Sequence, residues 1–126
     1  MIAAALLLAL TSPAAAPGDQ FCIARIHDGD TIRRCDGQRL RLADIDAPEL
    51  RGSPACATPQ QRATRWCDYE AGIAARDALA GLMASGSVQI VYLGRNDRYR
   101  RPLVRVLVGG RDAGEMLIAR GLARRW

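Results

Sequence analysis

Acidic and basic side chains concentrate in two short stretches of the chain, and their types suggest phosphate chemistry. The first stretch, Asp28–Thr31, reads Asp-Gly-Asp-Thr, and the second, Asp44–Glu49, reads Asp-Ile-Asp-Ala-Pro-Glu, with Arg39 and Arg41 just before it. Carboxylates bind hard cations such as Mg²⁺ and Ca²⁺, and guanidinium groups pair with phosphate oxygens. The two stretches therefore predict a site where a divalent cation and arginines act on phosphate.

Hydrolysis of a phosphodiester requires these residue types for a physical reason. Attack on phosphorus puts extra negative charge on the phosphate oxygens, so positive groups aimed there stabilise the transition state more than the ground state. A divalent ion can also orient the attacking water. The alternative for Asp28 and Asp30 is a structural hairpin turn, for which Asp-Gly is a common signal. For Asp28 this alternative stays open.

Short strands must position these residues. The first half of the chain alternates polar residues with six apolar ones: Phe21, Ile23, Ile26, Ile32, Leu40 and Leu42. Turn signals at Asp28–Asp30 and Asp36–Gly37 divide this part into a three-strand antiparallel meander. Between Arg51 and Thr64 the chain is polar, and its prolines predict a loop without regular structure.

One long helix and two further strands are predicted in the second half. Apolar residues recur at helical spacing from about Tyr69 to Ser85, with Asp68 as the N-cap. Strands are expected over Val88–Leu93 and Leu103–Val108, followed by a short capped helix over Asp112–Ala119. A helix between strands 3 and 4 and a short helix after strand 5 predict an α+β fold. A five-stranded OB-fold β-barrel fits this order of elements and is one of several candidates.

Strand alternation places a condition on the site. Arg41 and Asp46 are separated by an odd number of positions, so a regular strand would point their side chains to opposite faces of the sheet. If both act on one phosphate, the chain must bulge or bend between them. We predict this bend near Asp44.

Four cysteines in a small exported chain indicate disulfides rather than free thiols. Cys22 and Cys35 flank the Asp28–Thr31 turn almost symmetrically, so a hairpin would bring them together. Cys56 and Cys67 would then close the polar loop between them. We predict disulfides in these two pairs. A zinc site is the alternative, but no C-x-x-C pair occurs.

Residues 1–16 carry no charged side chain and read as an export signal. Ile2–Leu10 is an apolar run too short to span a bilayer, and Ser12–Ala16 are small residues that suit a signal peptidase. Cleavage is expected near residues 14–16; a buried N-terminal helix is the alternative. Cleavage would leave a single domain, residues 19–126, that is secreted or periplasmic and has no stable membrane association.

The net charge is +5, and all eighteen basic residues are arginine. A basic surface suits a polyanionic partner, because binding to nucleic acid releases counterions. Net charge alone does not separate this interpretation from a basic protein without any nucleic-acid role.

Three segments resemble, in order and spacing, the signature segments of the staphylococcal nuclease (thermonuclease) family. They are Asp28–Thr31, Arg41–Glu49 and Asp97–Leu103, and Gly114–Ala123 resembles the family's last helix. The resemblance covers roughly Phe21 to Trp126. It implies an OB-fold phosphodiesterase that uses one Ca²⁺ to hydrolyse DNA, RNA or both, leaving 3′-phosphate ends. We expect a monomer.

The resemblance also implies a metal site. Asp30 and Asp46 would supply carboxylate oxygens to the ion, and Ala47 would supply its main-chain carbonyl. Asp28 would lie behind these ligands and support them.

The same resemblance implies the residues that act on the substrate. Arg41 and Arg101 would bind the scissile phosphate, and Glu49 would position or deprotonate the attacking water. Arg98 and Tyr99 would contact a terminal phosphate of the substrate.

Two of the departures from the family pattern affect how the substrate would be bound. Arg100 stands where glycine is common; if the backbone there has positive φ, the substitution costs about 1 kcal/mol. Whether Arg100 or Arg101 contacts phosphate therefore stays open, although the spacing favours Arg101. The chain also stops before the tyrosines that stack on a base in longer members. Trp126 could serve as a stacking platform instead, or fray as a terminus.

The leading hypothesis is an exported, metal-dependent nuclease. The alternative is an OB-fold module that binds nucleic acid without catalysis; such modules typically lose the carboxylates or arginines that this chain keeps. A disulfide-stapled structural or inhibitory domain would explain the cysteines but not the three segments. The residues do not distinguish DNA from RNA as substrate.

Overall fold

The computed structural model describes residues 22–126. The predicted export signal at residues 1–16 and its cleavage site lie outside the described residues, as do the first residues of the predicted domain over 19–126. None of the helices between residues 22 and 126 has the length and apolar character that a membrane crossing requires.

Short strands and three α-helices make up this part of the chain. The strands are β1 (Ile23–Asp28), β2 (Thr31–Arg34), β3 (Arg39–Leu42), β4 (Ile45–Asp46), β5 (Val88–Asn96), β6 (Pro102–Val108), β7 (Arg111–Asp112) and β8 (Arg124–Arg125). The helices are α1 (Pro59–Thr64), α2 (Tyr69–Ala84) and α3 (Ala113–Ala119), and a 3₁₀ turn covers Pro54–Cys56.

The main sheet has the strand order β1-β2-β3-β6-β5. Strands β1, β2 and β3 form the predicted antiparallel meander, and β5 pairs with β6 in the same sense. A parallel pairing of β3 with β6 joins the two parts. Helix α2 precedes the last two of these five strands and α3 follows them, so the predicted α+β OB-fold is confirmed. The two-residue strands β4, β7 and β8 were not predicted.

A single apolar core lies between the sheet and helices α2 and α3. Its large side chains with no exposed surface are Ile32, Leu40, Val104 and Val106 from the sheet, Leu79 from α2 and Leu117 from α3. Full burial of each large aliphatic side chain contributes about 1.5–3 kcal/mol relative to exposure. Asp68 caps α2 as predicted, since its Oδ1 accepts from the backbone N–H of Ala71 at 3.1 Å.

The predicted loop between Arg51 and Thr64 is wrong, because the structure contains the 3₁₀ turn and α1 there. Pro59 stands in the first turn of α1, where a missing N–H breaks no helical hydrogen bond. Thr58 and Gln61 complete a capping box at the same end. Pro59 therefore begins a helix in this segment and does not interrupt one.

The predicted bend between β3 and β4 is confirmed. Asp44 adopts a φ of 64°, in the left-handed region, and the chain turns there before β4 pairs with β8. The Asp44 carboxylate lies 2.6 Å from Nη2 of Arg105. The turn allows Arg41 and the residues after Ile45 to approach the same end of the sheet.

The two predicted cysteine pairs are the ones that the structure joins. Cys22 is bonded to Cys35 and Cys56 to Cys67, with Cα–Cα separations of 5.4 and 6.0 Å. In the loop-entropy description each short loop is stabilised by about 3 kcal/mol or less. The first bridge ties the ends of the β1–β2 hairpin, and the second ties the segment that holds α1.

Candidate active site

The side chain of Thr31 joins acidic and basic groups at the end of the β1–β2 hairpin. Its hydroxyl donates to Oδ1 of Asp30 at 3.1 Å and accepts from Nη1 of Arg101 at 3.3 Å. Thr31 is buried, and Arg41 is its direct neighbour on β3. Three residues predicted for the site, from distant parts of the chain, therefore meet around one threonine.

Asp30 is the carboxylate at the centre of this group, and it is only 6% exposed. Its Oδ2 accepts from the backbone N–H of Ala47 at 2.9 Å and lies 3.5 Å from Nη2 of Arg41. Oδ1 accepts one hydrogen bond, from Thr31, and each carboxylate oxygen has two lone pairs, so Oδ1 retains capacity for a cation. The hydrogen bond to Ala47 brings the second acidic stretch against the first.

Asp28 lies behind Asp30 and is also buried. Its Oδ1 accepts from the backbone N–H of Asp30 at 3.1 Å, which holds the turn in shape. Burial, and then the charge of Asp30, raise the pKa of Asp28 to about 8. The side chain thus combines the structural role that Asp-Gly predicts with a further carboxyl group close to the site.

Glu49 faces the same group of carboxylates. Burial raises the pKa of Glu49, a hydrogen bond from Ser53 opposes this, and the charges of Asp30 and Asp46 raise it further. The hydroxyl of Ser53 donates to Oε2 at 2.9 Å and holds the side chain. A carboxylate whose pKa is raised towards neutrality is a better proton acceptor for catalysis.

Helix α2 supports both acidic stretches through glycines and alanines. A Cβ on Gly72 would lie 2.9 Å from the carbonyl carbon of Glu49 and 3.2 Å from the oxygen of Pro48. A Cβ on Gly29 would lie 2.8 Å from the Cβ atoms of Ala47 and of Ala75 on α2. The backbone at Glu49 and the turn at Gly29 therefore rest directly on the helix, with no room for a side chain.

Asp46 makes an ion pair with Arg124. Its Oδ2 lies 2.8 Å from both Nε and Nη2 of the arginine, and the two residues are direct partners in the β4–β8 pair. The guanidinium of Arg124 also lies 5.1 Å from the centre of the Trp66 ring. Any cation at Oδ2 of Asp46 would compete with Arg124.

Arg101 is fixed by Asp97. The backbone N–H of Arg101 donates to Oδ1 of Asp97 at 2.9 Å, and its Nε donates to Oδ2 at 2.7 Å. Burial opposes ionisation of this carboxyl, but these hydrogen bonds outweigh it and lower the pKa of Asp97. With Nε held, Nη1 of Arg101 reaches Thr31, so the guanidinium is aimed at the site.

Arg100 has the positive φ that its position suggested, at 62°. A left-handed conformation costs a non-glycine residue about 1 kcal/mol. The strain leaves Arg101 in place, because Asp97 anchors that residue through both backbone and side chain. The side chain of Arg100 is exposed, so the geometry favours Arg101 as the arginine of the site.

Arg98 and Tyr99 lie at the exposed edge of the candidate site. Arg98 Nη2 donates to the Tyr99 hydroxyl at 2.6 Å, and the guanidinium groups of Arg98 and Arg101 lie 4.8 and 5.4 Å from the Tyr99 ring centre. Tyr99 is 63% exposed. Its ring is therefore open to a bound molecule and connected to the interior through Arg101.

Trp126 and Arg41 line the same groove. The backbone N–H of Trp126 donates to the Asp44 carbonyl at 3.0 Å, and the Trp126 ring is 72% exposed. Together with Arg41, Arg95 and Leu103 it lines a groove of about 230 Å³. The last residue of the chain is therefore held beside the site by its backbone.

The donor chemistry near Asp30 fits a hard divalent cation. Carboxylates of Asp30, Asp46 and Glu49 are close enough for their charges to disfavour ionisation at Glu49, and a cation would offset this repulsion. Within residues 22–126 no three His, Cys, Asp or Glu side chains surround a single cation position. A cation here would need main-chain oxygen, such as the Ala47 carbonyl, and water to complete its shell.

Three residues that shape the site were missed in the sequence. Ser53 carries no signal, because it belonged to the predicted loop. Arg124 is one of many arginines, and only the β4–β8 pairing identifies it. Gly72 did carry a signal: glycine inside a helix costs about 1 kcal/mol relative to alanine, and this indicates a packing reason.

Comparison with known families gives one match. The family model described as staphylococcal nuclease homologue matches residues 39–126, which is more than half of the chain. The matched range contains Arg41, Asp46, Glu49 and Arg101, while Asp30 lies before it. A comparison with curated proteins found no match.

Proposed function

We propose, because the chain belongs to the staphylococcal nuclease homologue family, that it is a Ca²⁺-dependent nuclease that hydrolyses phosphodiester bonds of DNA, RNA or both. The observation that supports this most is the meeting of Asp30, Arg41 and Arg101 around Thr31. A buried acidic group beside two guanidinium groups is the pairing that a cation-assisted reaction at phosphate requires.

Arg41 and Arg101 would bind the oxygens of the scissile phosphate. Both side chains are largely buried, at 13% and 24% exposed, and each is oriented by a carboxylate, Arg41 by Asp30 and Arg101 by Asp97. Groups that are already oriented lose little freedom when charge develops on the phosphate. Their contribution would therefore be larger in the transition state than in the bound substrate.

Glu49 would position the attacking water and accept its proton. The water oxygen would form a bond to phosphorus while the bond to the 5′ oxygen breaks. The leaving 5′ oxygen would take a proton from solvent water, which gives a 3′-phosphate and a 5′-hydroxyl. Ser53 holds Glu49 at one carboxylate oxygen, and the other oxygen would accept the proton. The raised pKa of Glu49 favours proton acceptance.

Asp30, Asp46 and the Ala47 carbonyl would hold the metal ion. Bound there, Ca²⁺ would supply positive charge to the phosphate and orient water. Asp28 would support Asp30, because the Asp28 carboxylate accepts a hydrogen bond from the backbone N–H of Asp30.

Arg98 and Tyr99 would contact a terminal phosphate of the substrate at the rim. Trp126 would offer its exposed ring to a base, since stacking on aromatic side chains tolerates any sequence.

We further propose that the protein is exported, acts as a monomer in a secreted or periplasmic space, and loses residues 1–16. Two disulfides support an oxidising environment. The domain over residues 19–126 would then be the mature enzyme, without stable membrane association.

The second candidate is a nucleic-acid-binding module without catalysis. The ion pair between Asp46 and Arg124 favours it, because a guanidinium already neutralises one of the two carboxylates expected to bind the metal.

Digestion of plasmid DNA by the purified oxidised protein distinguishes the two candidates. We expect cleavage with Ca²⁺, and the products should carry 3′-phosphate ends. We expect no cleavage with a chelator. Mg²⁺ in place of Ca²⁺ tests the choice of ion. Binding without any cleavage in Ca²⁺, from neutral to alkaline pH, would contradict the nuclease and favour the binding module.

A further inference from the structure

Three arginines form a row across the meander. Arg25 on β1 is the direct partner of Arg33 on β2, and Arg33 is the direct partner of Arg39 on β3. Direct partners in antiparallel strands point to the same face, so the three side chains stand side by side. Ile32, next to Arg33, points into the core, which places this arginine ladder (Arg25, Arg33 and Arg39) on the outer face.

No carboxylate of the described chain neutralises the ladder. Within residues 22–126 none of its three members forms an ion pair, although several other arginines do. Like charges directly opposite each other in a sheet are destabilising. The arrangement therefore opposes folding slightly unless an anion lies across it.

The charges of the ladder also act on His27. Burial lowers the pKa of His27, and the charges of Arg39, Arg25 and Arg33 lower it further, while Asp30 acts in the opposite direction. The positive field of the ladder thus extends to the hairpin end where the candidate site begins.

The ladder is continuous with the candidate site. Arg33 and Thr31 are two residues apart on β2, and Arg39 and Arg41 are two residues apart on β3, so each pair shares a face. Two residues of a strand span about 7 Å. A chain of phosphates bound at Arg41 can therefore continue along β3 to Arg39 and turn there across the strands to Arg33.

We propose that the arginine ladder binds the phosphate backbone of a nucleic-acid strand next to the phosphate held at Arg41. This rests on the proposed nuclease function and extends it, because it gives the substrate a path along the sheet. The contacts are to phosphate, so they add affinity for any sequence.

Salt dependence of binding tests the ladder. The parent protein carries Glu49→Gln to prevent cleavage, and the probe is a fluorescent single-stranded oligonucleotide of about twenty nucleotides. The ladder variant adds Arg25→Gln, Arg33→Gln and Arg39→Gln. The control adds Arg76→Gln, Arg111→Gln and Arg120→Gln, which remove the same charge elsewhere. Thermal melting verifies that each variant folds.

We expect weaker binding by the ladder variant and a smaller slope of log K against log salt, by about 2, since each lost phosphate contact removes about 0.7. The control should keep the parent slope. Replacing the three ladder arginines by lysine should restore most of the slope and covers the case in which the glutamine variant fails to fold.

Equal slopes for the ladder and control variants would overturn the ladder and leave the nuclease proposal standing. A parent protein that binds no oligonucleotide would overturn both. Binding to phosphatidylglycerol vesicles is measured with the same variants. If the ladder variant loses vesicle binding and binds the oligonucleotide as tightly as the parent does, the ladder belongs to a membrane surface and the proposal is overturned.

Discussion

Replacing Glu49 by glutamine is expected to lower the rate of phosphodiester cleavage by about 10²- to 10⁴-fold, the range for loss of a general base. Glutamine keeps the size of the side chain and can still contact Ser53, but it cannot accept a proton from water. The measurement is single-turnover cleavage of end-labelled DNA in Ca²⁺, together with thermal melting. The melting temperature should not fall, because the substitution removes a half-buried charge close to other carboxylates.

Glu70→Gln is the matched control for this substitution. Glu70 is exposed in the first turn of α2 and undergoes the same chemical change away from the candidate site. Its variant should cleave at the wild-type rate. If the Glu49→Gln variant cleaves at the wild-type rate, Glu49 has no role in catalysis.

Alanine at Gly72 is expected to destabilise the protein by about 1–3 kcal/mol and to lower cleavage as well. The added Cβ would collide with the backbone of Glu49 and Pro48, and backbone cannot rotate away. A shift of Glu49 by about 1 Å is enough for a loss of about 10²-fold in rate. Urea denaturation measures the stability, and the cleavage assay is run well below the melting temperature.

Gly81→Ala on the same helix is the control. A Cβ at Gly81 meets nothing within 4 Å, so alanine should stabilise the protein by up to about 1 kcal/mol through helix propensity. Opposite signs for the two substitutions would establish that Gly72 is required by contact with the Glu49 segment. Similar effects at both positions would show that the contact is unimportant.

Local signals in the sequence were enough for much of the fold. The turns at Asp28–Asp30 and Asp36–Gly37, the capped helix after Asp68 and the disulfide pairs all depend on neighbours or on a single hairpin. The bend at Asp44 followed from parity, since two residues required at one phosphate could not share a regular strand. Helix α1 was missed because Pro59 was interpreted as a breaker when the capping residues around it indicate a start.

The candidate site depends on contacts that no local pattern contains. Thr31 connects Asp30 to Arg101 only because the parallel pairing of β3 with β6 brings distant segments together. Arg124 reaches Asp46 through a pair of two-residue strands, which are too short to leave a sequence signal. The residue types were therefore predictable, while their partners required the folded chain.

Crystals of the Glu49→Gln protein grown with Ca²⁺ and an oligonucleotide would test the site most directly. We predict a Ca²⁺ ion about 2.3–2.6 Å from carboxylate oxygens of Asp30 and Asp46 and from the Ala47 carbonyl. Arg41 and Arg101 should contact the phosphate beside it. A Ca²⁺ ion bound elsewhere, with Asp46 still paired to Arg124 and the phosphate away from both arginines, would contradict the proposed site.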